Sequence, residues 1–194
     1  VEISQASFAP YSRELGGDDG LASKPVRAAL RLRLRALAGL TFDRLPMDSL
    51  VLYLRGVGDA GARLYEQIVG GAAGVLVRST QNPSQRERLE PSSVRRVGFD
   101  DAQALLPYGR RSFRGYRLLH EYFALPERFQ FVEIAGLRRA LTRFKEQEIE
   151  IAILLHRDDP TLHNVVDASN FALHCTPAIN VFPMQGETIH LSDK

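Results

Sequence analysis

Apolar and polar residues alternate from Val26 to Ala36, Ala29 apart. Val26, Ala28, Leu30, Leu32, Leu34 and Ala36 fall on one side, and Arg27, Arg31, Arg33 and Arg35 on the other. A period of two sends successive side chains to opposite faces of an extended chain, so this segment is a half-buried strand. Further strands are predicted at residues 1–8 (VEISQASF), Leu50–Leu54, Gly74–Arg78, Val94–Phe99, Phe129–Ile134 and Glu148–Leu155. Gln81–Pro91 is polar and contains Pro83, which suits a loop or an edge hairpin.

Helical spacing appears in between. Leu64, Tyr65 and Ile68 share a face of a helix over Ala60–Val69, with Asp59 as its cap and Gly70 and Gly71 as its stop. Ser112 is the expected cap of a second helix, Phe113–Phe123, which Pro126 terminates. On it Tyr116, Leu119, Tyr122 and Phe123 recur at i, i+3, i+6 and i+7. A basic amphipathic helix is predicted over Leu137–Glu146, with short helical turns from Asp100 to Leu106 and from Asp167 to Phe171. Phe171–Phe182 is extended and broken by Pro177. Strands and helices mix without regular alternation, which predicts an α+β fold: a mixed or antiparallel sheet with a few short helices. Residues 1–24, with Pro10, Gly16, Gly17 and Gly20, form an N-terminal edge segment; 25–194 form the main region, with a subdomain boundary near 81–99.

Composition narrows the function classes. The chain is 44% hydrophobic and 25% charged over 194 residues, enough apolar material for a core. It contains no run apolar enough to span a bilayer as a helix, so no direct membrane insertion is expected. It opens at Val1 in sequence that already reads as folded, and is expected to be an internal piece of a longer protein. A single cysteine, Cys175, rules out an internal disulfide framework and fits a reducing compartment. Net charge is +2, too mild to imply nucleic acid. Lysine occurs only at 24, 145 and 194, so the cations are nearly all arginine. That bias suits a GC-rich genome, and it also suits bidentate polar contacts.

Four constellations invite a chemical reading. Gly56-Val57-Gly58-Asp59-Ala60-Gly61 matches the dinucleotide fingerprint, follows a predicted strand and opens a helix. A nucleotide-dependent enzyme is therefore one alternative. Against it, no acidic residue ends the next strand, which closes instead in Arg78 and Ser79, and Asp59 sets a negative charge beside the phosphates. His120-Glu121 begins like a zincin motif, but Ala124 stands where the second histidine belongs; Glu121 is better read as a partner for Arg117 at i−4. His174 and Cys175 are adjacent on an extended chain and so point apart, which leaves the cysteine inert. His156, Asp158, Asp159 and His163 surround Pro160 without the spacing of a defined metal site. No metal, cofactor or catalytic residue is assigned. The Arg27, Arg31, Arg33 and Arg35 stripe is read as a solvated or acid-paired face; the alternatives are phosphate tracking by a nucleic-acid-binding module and docking of an acidic protein surface.

The run from Leu105 to Leu137 is the least ordinary stretch: LLPYGRRSFRGYRLLHEYFALPERFQFVEIAGL. Tyr116, Leu119, Tyr122, Phe123, Phe129 and Phe131 are assigned to packing. Tyr108, Arg110, Arg111, Phe113 and Arg114, in and beside the loop, are interface candidates, together with the arginine stripe.

This run resembles the signature of the TssF (VasA, ImpG) family of type VI secretion baseplate proteins, approximately LLPY–x–SF–GYRLL–EYF–PE–F–F–GL. Leu52-Tyr53-Leu54-Arg55-Gly56 with Ala62 and Leu64-Tyr65, Gly98-Phe99, and Phe171–Pro183 (FALHCTPAINVFP) resemble further family blocks in the same order. His120 and Leu125 depart from the pattern, where glutamine and an aromatic are usual. The resemblance implies a structural subunit of the baseplate wedge in a contractile, phage-tail-like injection machine, with no enzymatic activity and no cofactor. It implies assembly with TssG, TssK, TssE, the VgrG hub and a second TssF copy, without nucleic acid. It also implies a cytoplasmic location, docked at the inner-membrane secretion complex.

Overall fold

The computed structural model describes residues 1–12, 15, 25–56, 59–107, 109, 113–182 and 184, with the side chain of Arg114 outside that description. In chain order the strands are β1 (Glu2–Pro10), β2 (Ala28–Arg35), β3 (Ser49–Leu54), β4 (Ala72–Ser79), β5 (Arg86–Leu89), β6 (Val94–Arg96), β7 (Phe131–Ala135), β8 (Glu148–Leu155) and β9 (Phe171–Ala172). The α-helices are α1 (Ala60–Gly71), α2 (Arg114–Ala124) and α3 (Leu137–Leu141). The strands form two sheets, ordered β1-β2-β8-β4-β5 and β6-β7-β3-β9, and every pairing is antiparallel. The α+β expectation holds, with the sheets antiparallel rather than mixed.

The period-two segment is β2, next to the central strand of the larger sheet. Leu30, Leu32 and Leu34 are fully buried and meet Ile149, Ile151 and Ile153 of β8, Val75 and Val77 of β4, and Phe8 of β1 in one apolar cluster. The inward residues of β3 (Leu50, Leu52, Leu54) and of β7 (Val132, Ile134) belong to the same cluster. So do Leu64 and Ile68 of α1 and Leu137, Ala140 and Leu141 of α3. One core therefore joins both sheets and both helices. On the other face of the larger sheet, a small satellite of Leu15, Val26, Ala29, Ala73, Leu76, Ala152 and Leu154 covers one end. The chain crosses between sheets at 90–93, inside the 81–99 stretch, yet both sheets draw strands from before and after that point.

Several predicted elements are shorter than their apolar patterns. Asp100–Leu106 contains a single 3-10 turn, Asp101–Gln103. The strand predicted from Phe129 begins at Phe131, because Pro126–Phe129 form a 3-10 turn. The helix predicted over Leu137–Glu146 ends at Leu141, although Phe144 beyond it is still fully buried. Apolar periodicity marks what is buried, and a turn that carries one more core residue extends the pattern past the helix.

Candidate partner-docking interface

α2 is built inside out. Among its described side chains the buried ones are Arg117 and Glu121, one turn apart, and four of its large apolar side chains face solvent, with Leu118 half-buried. Tyr116 is 60% exposed and Phe123 81%, and Leu119 and Tyr122 are also exposed, so these four do not pack in the core. The i, i+3, i+6, i+7 spacing located a real stripe, but the stripe points outward. The inward face is occupied instead by the Arg117–Glu121 ion pair, whose desolvation is offset by its hydrogen bonds. Of the packing assignments, Phe131 is buried and stacks on Tyr53 at 4.7 Å between centroids, and Phe129 is half-buried against Phe99 at 5.0 Å.

The ion pairs converge on Glu121. Its Oε1 accepts the amides of Leu105 at 2.9 Å and Leu106 at 3.0 Å. Its Oε2 accepts Arg117 Nη1 at 3.1 Å and also Arg128 Nη1. Arg128 is 1% exposed and donates through Nη2 to the carbonyls of Gly98 at 2.8 Å and Gln103 at 2.7 Å. Arg117 Nη2 reaches the Phe99 carbonyl at 3.1 Å. Gly98 has φ +104, and a Cβ there would lie 3.2 Å from the Arg128 carbonyl. Glycine is thus required for the chain to pass over the buried guanidinium. Burial alone would push the Glu121 carboxyl up; the two amides and two arginines reverse this and hold it below the usual carboxylate range. The network clamps loop 98–106 and the turn after α2 onto the hidden side of the helix, which presents the aromatic side outward.

Other exposed groups flank that side. Phe113, just before α2, is 71% exposed and meets Tyr116 edge-on at 5.5 Å. Leu105 and Pro107 border an open hollow with Ile179, Val181 and Phe182. Tyr108, Arg110, Arg111 and the predicted cap Ser112 lie outside the described residues, as does the side chain of Arg114. The arginine stripe is acid-paired, as expected for Arg31 and Arg35. Arg31 grips Glu150 through Nε at 3.1 Å and Nη2 at 2.7 Å, and Arg35 Nε meets Glu148 at 2.7 Å. Arg27 is exposed and lies just before β2. Arg128 was missed as a site residue, since nothing in its local sequence marks it as buried.

The enzymatic readings lose their context. β3 and β4 flank α1 but belong to different sheets, so the parallel β-α-β crossover of a dinucleotide site is not formed. The glycines serve close packing instead: a Cβ on Gly56 would sit 2.3 Å from the Gly61 amide nitrogen. Val57 and Gly58 lie outside the described residues. His163 pairs with Asp158 at 2.7 Å, while His156 contacts the Pro25 carbonyl and Asp159 caps the turn at Thr161. Among the described residues, no three His, Cys, Asp or Glu side chains gather to hold a metal. Cys175 Sγ turns to the Leu173 carbonyl and His174 Nε2 to that of Val1.

These features define an antiparallel two-sheet α+β unit with an aromatic helix face turned to solvent. The chain belongs to the TssF family: the model described as "Type VI secretion system, TssF" matches residues 1–194. It is 47% identical, over its whole length, to the type VI secretion system component TssF1 of Pseudomonas aeruginosa, and spans 31% of that protein. Its fold matches a chain of the cryo-electron microscopy structure of the TssK-TssF-TssG baseplate subcomplex with a TM-score of 0.71 and 23% identity. That match covers 93% of this chain and 31% of the other. Among the described residues, no helix is long and apolar enough to cross a membrane.

Proposed function

We propose that this chain is part of a structural subunit of the type VI secretion baseplate wedge, working by protein–protein assembly rather than by catalysis. The observation that carries this reading is the outward aromatic face of α2, held in place by a buried ion-pair network. Exposed large apolar patches mark interaction sites, because leaving them in water costs free energy that docking recovers. Tyr and Phe anchors are the residue types that dominate such contacts. Family membership along the whole chain supports the same reading.

TssG and TssK are the first partners we assign, from the composition of the subcomplex whose chain has this fold. TssE, the VgrG hub and a second TssF copy complete the proposed set, and the assembly sits in the cytoplasm, docked at the inner-membrane secretion complex. Tyr108, Arg110, Arg111, Phe113 and Arg114 extend the proposed docking face toward the loop before α2. Co-expression of the full-length parent with TssG and TssK from the same gene cluster tests this. A complex that survives a high-salt wash is the expected result. A folded parent that recovers neither subunit would refute it.

A further inference from the structure

On the polar face of the larger sheet, one arginine is left without an acid. Register pairs Arg33 of β2 with Glu150 of β8, but Glu150 is engaged by two other arginines. Arg31 binds both Glu150 oxygens, and Arg78 from β4 donates Nε to Oε1 at 2.7 Å. Arg35 is satisfied by Glu148 and approaches Glu2 at 3.6 Å. Arg33 has no ion pair among the described residues, and its Nε is shielded from solvent with no acceptor. It lines a hollow of about 80 Å³ with Gln5, Ser7, Arg31 and Glu150. Three guanidinium groups thus surround one carboxylate, which leaves a positive excess at a place where a hydrogen-bond acceptor is missing.

We propose that this hollow receives a carboxylate side chain from an acidic segment of a partner protein, with Arg33 as its anchor. The inference rests on the assembly reading above and adds a chemical class of partner and a place for it. An arginine fork matches a carboxylate geometrically, and Gln5 and Ser7 supply neutral donors on the facing strand. Charge complementarity favours an acidic protein segment over a nucleic-acid strand. Phosphates follow a continuous line of cations, whereas this face interleaves Glu2, Glu148 and Glu150 with its arginines.

The test uses the full-length parent at low salt and two probes, a fluorescein-labelled hexaglutamate peptide and a single-stranded oligodeoxynucleotide of matched charge. The peptide is expected to bind better than the oligonucleotide. Arg33→Gln is expected to weaken peptide binding by about tenfold, and Arg139→Gln, at an exposed arginine on α3, by less than about twofold. Ser7→Asp, which places a carboxylate in the hollow from within, is expected to abolish peptide binding even if Arg33→Gln folds poorly. Unchanged peptide binding in a folded Arg33→Gln or Ser7→Asp variant, no binding by the wild type, or preference for the oligonucleotide would overturn the inference. A parent that still co-purifies with TssG and TssK after such a result leaves the assembly reading standing and removes only this site.

Discussion

Glu121 gathers two backbone amides and two guanidinium groups onto one carboxylate, and the consequences of changing it follow from burial. Glu121→Gln keeps the shape but takes the counter-charge from Arg128 in a dry site, while Arg117 keeps Asp101 at 3.5 Å. Breaking one partner of a buried pair costs about 3–5 kcal/mol, and we expect a loss in that range by urea denaturation. Glu150 is the second such carboxylate: burial opposes its ionisation, and Arg31 and Arg78 hold it ionised below the usual range. Both groups are depressed in the folded state. Their contribution is therefore complete above the unfolded value of 4.5 and is lost as pH falls through the lower folded values. Unfolding free energy should drop as pH falls below 4.5, and the drop should be shallower in Glu150→Gln. An equal drop in both proteins would mean that other carboxylates control acid stability. Gly56→Ala tests the packing role of the fingerprint glycines. Its Cβ would overlap the Gly61 backbone, so we expect destabilisation of about 1–3 kcal/mol, read as a fall in melting temperature.

At the scale of the element, α2 separates what holds the chain together from what the chain presents. Replacing Tyr116 and Phe123 by serine should change stability by less than about 0.5 kcal/mol each, since both side chains lie in solvent. Leu64→Ala on α1 should cost about 2–5 kcal/mol, because that side chain is fully buried between the sheets. Melting both sets of variants distinguishes a presented face from a core face. This contrast also explains what the sequence could reveal. β2 was legible because a period of two has one structural solution, and α1 because its apolar face coincides with its buried face. α2 carried an equally clear stripe, but hydrophobic periodicity gives the position of a face and not its direction. The direction is set by Arg128 and by loop 98–106, which lie outside the helix and so outside its periodicity. The Arg117–Glu121 pair, a local i, i+4 relation, was readable; its third member was not.

At the scale of the whole molecule, two antiparallel sheets share one main core, and the Glu121 and Glu150 networks are buried beside it. The fold class followed from the irregular mixing of strands and helices. The division into two sheets did not, because β3 and β4 are consecutive strands that enter different sheets, and neither shows this in its own residues. The candidate interface was partly legible. Phe113 was read as an interface candidate from its place beside the loop, and its side chain is exposed; Tyr116, Leu119, Tyr122 and Phe123 were assigned to packing for want of any local sign to the contrary, and they are exposed too. The central claim is that this outward face binds baseplate partners. The most direct measurement is the recovery of TssG and TssK on the full-length parent carrying Tyr116→Ser and Phe123→Ser together, with the melting temperature taken on the same sample. The account predicts an unchanged melting temperature and at least a tenfold loss of recovered partner, of the size expected when two aromatic anchors are removed from an interface. Full recovery of both partners by the doubly substituted, folded protein would contradict it.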